Sequence, residues 1–296
     1  MSGKKSDGST IMSKYLIDST VKLSDGRFFP RIALGVYLSE GKECVDAVAW
    51  ALEAGYRAVD SASCYHNEKE CGIAINSWLK KSVFFSTKLW DPDHGYERTK
   101  AAIDKSLREC NLGYIDLYLI HSPNPGKEKR LASWRAMEEA VAQGIIKSIG
   151  VSNYGVHHLQ ELLDAKPKIL PSVNQVEINP FITRNDIVWK IIFRRLTKFQ
   201  VSFCEKHHIV IEVLPNEASD PKLVSIAEKY KPKSVVHLLI RWCLQRGFVV
   251  LPKSVTKERI IENSDVFDFC LSPEDVEALN SLDEYRVIDW DPTVVP

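Results

Sequence analysis

The sequence has neither a net charge nor an apolar run long enough to cross a membrane. Its 296 residues contain 39 Lys and Arg against 39 Asp and Glu, so it has no general positive field to attract nucleic acid. The first residues, MSGKKSDGSTIMSKYL, are polar and lack the continuous apolar core of a signal peptide. We therefore predict a disordered leader over residues 1–14, and a cytoplasmic protein with no nucleic-acid or membrane partner.

Metal and redox motifs are missing as well. The seven cysteines include no CxxC pair, and the eight histidines form neither HExxH nor a Cys/His zinc spacing. An odd number of scattered cysteines is typical of reduced thiols in a cytosol-like compartment. No GxGxxG follows an early strand, which counts against a dinucleotide-binding open sheet. The sequence thus predicts no metal site.

Short apolar runs alternate with segments of helical period along most of the chain. Residues 21–23 and 27–29 predict a hairpin with Asp25-Gly26 at its turn, and residues 43–54 and 96–110 predict helices. The candidate strands after the hairpin are 32–35, 57–60, 83–88, 115–121, 148–151, 172–177, 209–214 and 248–252. Eight βα units in this length favour a closed barrel. We predict an α/β fold, a single (β/α)8 TIM barrel over residues 15–296 with an N-terminal β-hairpin.

Polar side chains stand at the ends of successive predicted strands, where a (β/α)8 barrel carries its chemistry. Asp60 ends the second strand, Lys88 the third and His121 the fourth. Tyr65 lies in the loop after Asp60. Singly, each has a plain structural interpretation: a helix cap, a surface tyrosine, a surface lysine and a hydrogen-bonded core histidine. Together, at one rim of a barrel, they favour a shared pocket.

These side chains suit the reduction of a carbonyl, in which the carbon receives hydride and the oxygen needs a proton. The hydroxyl of Tyr65 is a weak acid, with an ordinary pKa of about 10. An ammonium about 4 Å away, at an effective dielectric constant of about 20, favours the phenolate by up to about 4 kcal/mol, or roughly three pK units. We therefore expect Lys88 to lower the pKa of Tyr65 while Asp60 keeps Lys88 charged. His121 is expected to orient the carbonyl.

A second signal is the run LPKSVTKERIIEN, residues 251–263. Lys253 and Ser254 follow the last predicted strand, and Arg259 lies one to two turns into a short helix. Backbone N–H groups at a helix start, joined by cations and hydroxyls, form an anion site that suits the monophosphate of a ribose. The alternative is an ordinary helix capped by Ser254 or Thr256.

The same residues lie in longer stretches that resemble the aldo-keto reductase family, close to its aldose reductase and 2,5-diketogluconate reductase branch. These stretches are AGYRAVDSASCYHNE, STKLW, GYIDLYLIHSPNP, SIGVSNY, NQVEINPF and LPKSVTKERIIEN. They extend over almost the whole chain after the leader. The resemblance implies a monomeric (β/α)8 barrel that reduces a small-molecule aldehyde or ketone with NADPH.

The resemblance also implies a role for individual residues. A catalytic tetrad, with Tyr65 as the proton donor, is matched by Asp60, Tyr65, Lys88 and His121. The nicotinamide carboxamide is expected to be held by Ser152, Asn153 and Gln175. The residues expected around the adenosine 2′-phosphate, which imply NADPH over NADH, are Lys253, Ser254, Thr256, Arg259, Glu262 and Asn263. The residues expected to line the substrate pocket are Tyr37, Trp90, Ser122 and Trp290. Ser122 stands where many members have tryptophan, which implies a wider and more polar pocket on that side.

Residues 188–200, VWKIIFRRLTKFQ, interrupt a segment that otherwise resembles the family. Deleting them would join ITRNDI to VSFCEKHHI, which reads as a normal helix after the sixth strand. A lengthened outer helix and a membrane-surface helix are two interpretations of this insertion. Our hypothesis is a translated intron or gene-model error. Sequencing the mature transcript tests it, because the hypothesis requires these codons to be absent from the dominant message.

The loop after the seventh strand is also unusual. The family has an aromatic residue and then Ser-Pro-Leu or a similar run, whereas this chain has Glu212-Val213-Leu214-Pro215-Asn216-Glu217 and is several residues shorter. Leu214 is the nearest match to the aromatic that stacks on the nicotinamide, and losing such stacking costs about 1–3 kcal/mol by analogy with base–aromatic contacts. Two alternatives to an active reductase therefore stand: a non-catalytic NADP-binding relative and a cofactor-impaired variant.

Overall fold

The computed structural model describes residues 15–78, 82–188, 203–214, 220–288 and 290–296. The predicted leader lies outside the described residues, and so does the predicted insertion except for Val188. The loop after the seventh strand lies outside them from Pro215 onward.

An antiparallel hairpin precedes the barrel, as predicted. Strands β1 (Thr20–Lys22) and β2 (Phe28–Pro30) are joined by a turn in which the Leu23 N–H donates to the Arg27 carbonyl at 2.8 Å. Gly26 has a φ of 91°, a left-handed conformation that glycine adopts without steric cost. Leu23 and Phe29 pack with apolar side chains from the barrel interior, so the hairpin covers one end of the barrel.

Eight parallel strands follow, and each neighbours the next in chain order. They are β3 (Leu34–Gly35), β4 (Ala58–Asp60), β5 (Phe84–Leu89), β6 (Ile115–Ile120), β7 (Ile146–Ser152), β8 (Val173–Glu177), β9 (Val210–Leu214) and β10 (Val249–Val250). The first and last of these strands are also joined, because the Ala33 N–H donates to the Val250 carbonyl at 2.9 Å and the Gly35 N–H to the Pro252 carbonyl at 3.2 Å. The predicted (β/α)8 barrel is confirmed, and the predicted strand ends differ by at most two residues.

Helices connect the barrel strands and follow the last of them. They are α1 (Gly41–Glu53), α2 (Glu68–Asn76), α3 (Tyr96–Cys110), α4 (Lys127–Ala142), α5 (Val156–Asp164), α6 (Asn185–Val188), α7 (Phe203–Lys206), α8 (Pro221–Ala227), α9 (Val235–Gln245), α10 (Lys257–Ser264) and α11 (Pro273–Asn280). The predicted helix at 96–110 has the observed bounds of α3, and the one at 43–54 differs from α1 by two residues at its start and by one at its end.

The barrel has two apolar layers because successive side chains of a strand point to opposite faces. On β6, Leu117 and Leu119 belong to the interior cluster, whereas Tyr118 and Ile120 belong to the outer cluster beneath the helices. The interior cluster is small, and polar side chains replace it toward the carboxyl ends of the strands. This alternation aims the strand-end residues described below at the barrel axis.

Close packing between helices α2 and α3 depends on Gly72. A Cβ at this position would lie 1.8 Å from the Cys110 carbonyl oxygen, which ends α3. We expect Gly72→Ala to lower the free energy of unfolding by about 3 kcal/mol, because backbone must shift to make room. Urea unfolding measures the change, and the exposed Lys69→Ala on the same helix is the control, expected within about 0.5 kcal/mol of wild type. A Gly72→Ala protein as stable as that control would contradict the packing argument.

Candidate active site

Three of the predicted catalytic residues lie at the carboxyl ends of neighbouring barrel strands. Asp60 is the last residue of β4, Lys88 lies one residue before the end of β5, and His121 follows β6 directly. Asp60 and His121 each come two positions after a residue of the interior cluster, Ala58 and Leu119, and therefore share its inward face. Because adjacent parallel strands end at one rim, the three side chains meet there.

Tyr65 reaches the same rim from a single 3-10 turn between β4 and α2. The buried Asn67 holds this loop: its side-chain amide donates to the carbonyls of Val36 and Ser39, each at 2.8 Å. Its side-chain oxygen accepts from the Ser61 hydroxyl at 2.6 Å. The loop is thus tied to the segment after β3 and to the end of β4, which fixes where Tyr65 stands.

Asp60 and Lys88 form a buried ion pair, with 3% and 0% of their side chains exposed. The Lys88 ammonium donates to Asp60 Oδ2 and, at 2.8 Å, to the Ser61 carbonyl. The Ser86 hydroxyl donates to the other oxygen of Asp60 at 2.7 Å. Burial opposes the charge on Lys88, but Asp60 and Tyr65 favour it by more, so the pKa of Lys88 is raised above its ordinary value. The expectation that Asp60 keeps Lys88 charged agrees with this geometry.

The Tyr65 ring lies near Lys88, His121 and Tyr37. Its centroid is 5.1 Å from Lys88 Nζ, 5.8 Å from the His121 ring and 4.9 Å from the Tyr37 ring. Burial raises the pKa of Tyr65 to about 12, and the lowering by Lys88 is smaller. The expectation that Lys88 lowers this pKa is met, but that expectation left out the larger cost of placing a phenolate in a dry site.

His121 is a neutral imidazole in this site. Burial and the nearby Lys88 hold the pKa of His121 well below its ordinary value. Its ring is 5.3 Å from the Trp90 ring, and its Nδ1 lies 3.5 Å from the Cys64 sulfur. A neutral imidazole keeps one N–H donor, which suits an oxygen that gains negative charge.

The three residues expected to hold the carboxamide lie beside the tetrad. The Ser152 hydroxyl donates to the main-chain carbonyl of Gln175 at 3.0 Å, and the Asn153 side-chain amide donates to the main-chain carbonyl of His121 at 2.9 Å. Asn153 has a φ of 60°, a left-handed conformation that asparagine tolerates better than most residues. The Gln175 side-chain nitrogen lies 3.3 Å from Asp60 Oδ1. Their role toward a cofactor stays a prediction.

The residues expected around a 2′-phosphate lie in the segment before α10 and along α10 itself. The side chains of Lys253, Thr256, Arg259 and Glu262 are exposed, whereas those of Ser254 and Asn263 are buried. The Ser254 hydroxyl accepts from the Thr256 N–H at 3.1 Å. Thr256 takes the N-cap position, but in the described part of the chain its side chain makes no capping hydrogen bond. Of the alternative interpretation, an ordinary helix capped by Ser254 or Thr256, the structure shows only this Ser254 hydrogen bond, which lies before the first residue of α10.

The expected pocket residues differ in how they face solvent. Tyr37 is 48% exposed and lies against Tyr65, and Trp290 is 38% exposed. Ser122 is fully buried, and its hydroxyl donates to Asp91 Oδ1 at 2.6 Å. That hydroxyl is therefore already paired within the protein, and a polar pocket wall at Ser122 stays a prediction.

Three residues of the site were not singled out from the sequence. Ser86 donates to Asp60, Cys64 contacts His121, and Glu212 accepts from Gln175 at 2.8 Å. Alternation along β9 is the signal that could have found Glu212, because it lies two residues after the inward-packed Val210.

Two kinds of feature are absent from the residues that the structure describes. No helix among them is both long and apolar enough to cross a bilayer. No group of three or more His, Cys, Asp or Glu side chains among them is arranged to hold a metal ion.

The sequence matches the family model described as the Aldo/keto reductase family over residues 32–209 and 197–284. Glyoxal reductase of Bacillus subtilis is 43% identical over 274 residues, which cover 90% of this chain and 94% of the relative. Methylglyoxal reductase of Escherichia coli is 36% identical over 278 residues, which cover 93% and 97%. The crystal structure of a Bombyx mori aldo-keto reductase in complex with NADP has a TM-score of 0.80 at 32% identity, covering 93% of this chain and 96% of that chain. This chain belongs to the aldo/keto reductase family.

Proposed function

We propose that the protein reduces an aldehyde or ketone to an alcohol with NADPH, taking the proton from Tyr65. The observation that carries the proposal is the position of the Tyr65 ring, 5.1 Å from Lys88 Nζ and 5.8 Å from the His121 ring, above a buried Asp60–Lys88 pair. NADPH, when bound, supplies the hydride. The chain itself then has to bind the cofactor, orient the carbonyl and deliver a proton to its oxygen.

The residues present suit the cofactor. The Gln175 amide nitrogen is engaged by carboxyl groups inside the barrel, which leaves its carbonyl oxygen to accept from the nicotinamide carboxamide. Lys253 and Arg259 are exposed beside the start of α10, where backbone N–H groups and the two cations favour a phosphate. We further expect a cytoplasmic monomer.

Glyoxal and methylglyoxal are the first substrates to try, because two similar relatives are named for their reduction. Both are small dicarbonyls, and the rings of Tyr37 and Trp90 stand next to Tyr65 and His121 respectively. Consumption of NADPH with each compound tests the activity directly.

Cofactor binding is tested before any substrate, by titrating NADPH and separately NADH and following the quenching of tryptophan fluorescence. Tight binding that is selective for NADPH would support the phosphate site in spite of the unusual loop after β9. If neither nucleotide binds, the active-reductase proposal fails for the chain as written, and a cofactor-impaired variant is favoured instead.

Arg259→Ala is expected to raise the Kd of NADPH roughly tenfold, the effect of losing one charge-assisted contact of about 1.5 kcal/mol. The Kd of NADH should change by less than about twofold, since NADH lacks the 2′-phosphate. Fluorescence titration measures both. Glu258→Ala, at the exposed neighbouring position, is the control and should weaken neither nucleotide. An equal loss for NADPH and NADH would place Arg259 outside the phosphate site.

A further inference from the structure

Glu212 is a fully buried carboxyl group in the interior of the barrel. It lies on β9, where its register partners are Gln175 on β8 and Val249 on β10. None of its side chain reaches solvent. The interior below it is apolar, and Val210 on the same face packs there. The reaction proposed above gives Glu212 no role, yet a carboxyl group in such a place is costly unless it is paired or neutral.

The Gln175 amide joins Glu212 to the catalytic aspartate. Its nitrogen lies 2.8 Å from Glu212 Oε2 and 3.3 Å from Asp60 Oδ1. A side-chain amide nitrogen has two N–H groups, so one nitrogen serves both acceptors. This arrangement turns the nitrogen of Gln175 toward the barrel interior and its oxygen away from the two carboxyl groups.

The charge count in this group indicates which carboxyl holds the proton. The titratable groups that face Glu212 from across the barrel are Asp60 on β4 and Lys88 on β5, and its two register partners do not titrate. Lys88 is the cation, and it donates directly to Asp60. Burial, and then the negative charge of Asp60, raise the pKa of Glu212 to about 8. A second buried anion would leave the group with excess negative charge in a dry interior.

One oxygen of Glu212 supports the same assignment. Within the part of the chain that the structure describes, Oε1 is buried without a hydrogen-bond partner. A bare carboxylate oxygen in that position would lose its hydration with no compensation, whereas a protonated carboxyl group carries no net charge there. The other oxygen remains an acceptor for Gln175.

We propose that Glu212 is a positioning residue that acts as a neutral carboxylic acid. It holds the Gln175 side-chain amide so that the amide oxygen faces the nicotinamide carboxamide. Because a neutral Glu212 adds no negative charge, the Asp60–Lys88 pair keeps its charge. The inference rests on the proposed function for the role of Gln175 toward the cofactor. It does not need that function for the protonation of Glu212.

The first arm of the test uses neither cofactor nor substrate. Glu212→Gln keeps the acceptor but cannot ionise, so it is compared with wild type by urea unfolding from pH 5 to 9. The folded protein keeps a proton that the unfolded chain releases near 4.5, so wild-type stability falls as pH rises from there to about 8. The stability of Glu212→Gln relative to wild type should therefore grow across this range and level off above it. If the difference in stability between Glu212→Gln and wild type does not change with pH, the proposal that Glu212 is a neutral acid is wrong.

The second arm measures the Kd of NADPH at pH 7 by fluorescence quenching. Glu212→Met removes the acceptor at similar size and is expected to raise the Kd about fivefold, because Gln175 loses the bond that orients it. Glu212→Gln should rescue binding to within about twofold of wild type. Equal Kd values for the Met and Gln variants would overturn the positioning role.

The two arms separate the possible failures. A wild-type protein that binds NADPH but reduces no carbonyl would end the proposed function and leave both arms to decide on Glu212. If Glu212→Met does not fold, the pH arm alone decides, since the proposal requires the stability of Glu212→Gln relative to wild type to rise between about pH 5 and 8.

Discussion

Tyr65→Phe is expected to lower kcat by at least about 10³-fold while leaving the Kd of NADPH within about twofold of wild type. The substitution removes the hydroxyl and keeps the ring, which packs between Tyr37 and His121. The proton for the carbonyl oxygen is lost, but the groups expected to hold the cofactor are untouched. Single-turnover reduction and fluorescence titration measure the two quantities separately.

The matched control is Tyr37→Phe, which removes a hydroxyl from the neighbouring ring 4.9 Å away. Tyr37 is exposed and is expected only to line the pocket, so kcat should change by no more than a few-fold. A Tyr65→Phe protein with full activity would contradict the proposed mechanism. Equal losses in both variants would mean that packing, and not proton transfer, accounts for the effect.

The high pKa of Tyr65 is compatible with its proposed role as an acid. With a pKa of about 12, the phenol stays protonated through the physiological pH range, so the donor carries its proton before the reaction begins. In this reaction the carbonyl oxygen would become an alkoxide, which is a much stronger base than a phenolate. Proton transfer from Tyr65 to such an oxygen is downhill. His121, neutral in this site, can donate to the same oxygen without competing as an acid.

Much of this site could be predicted because a parallel barrel converts position along the chain into position in space. A residue at the end of one buried strand must lie near the residue that ends the next. The pattern therefore placed Asp60, Lys88 and His121 together with no knowledge of distances, and the structure has them at adjacent strand ends. The ends of the strands were predicted less closely. For example, β10 covers only Val249–Val250, although the apolar run there is longer.

What the sequence did not reveal depends on burial, which no local pattern measures. The pKa of Tyr65 is a balance between desolvation and Lys88, and only the structure shows that desolvation is larger. In the sequence, Glu212 stands out only as the first residue of a run that lacks the family's aromatic residue. Its inward direction follows from alternation on β9, but its contact with Gln175 requires the register between β8 and β9.

Lys88→Met is expected to be the most destabilising of the substitutions considered, by about 3–5 kcal/mol at pH 8, and to abolish turnover. The variant leaves the carboxylate of Asp60 in a site where its side chain is 3% exposed and has no cation beside it. A buried carboxylate without a cation favours the protonated form, so the loss of stability should be smaller at pH 5 than at pH 8. Urea unfolding at both pH values measures the change.

The double variant Asp60→Asn/Lys88→Met separates charge from packing. It removes the unpaired charge while keeping the apolar length of the lysine, so part of the lost stability should return at pH 8 although turnover stays absent. Lys69→Met, at an exposed position of α2, controls for the substitution itself. If the double variant is no more stable than Lys88→Met, the cost lies in packing. The ion pair at the base of the site would then not be what holds Lys88 beside Tyr65.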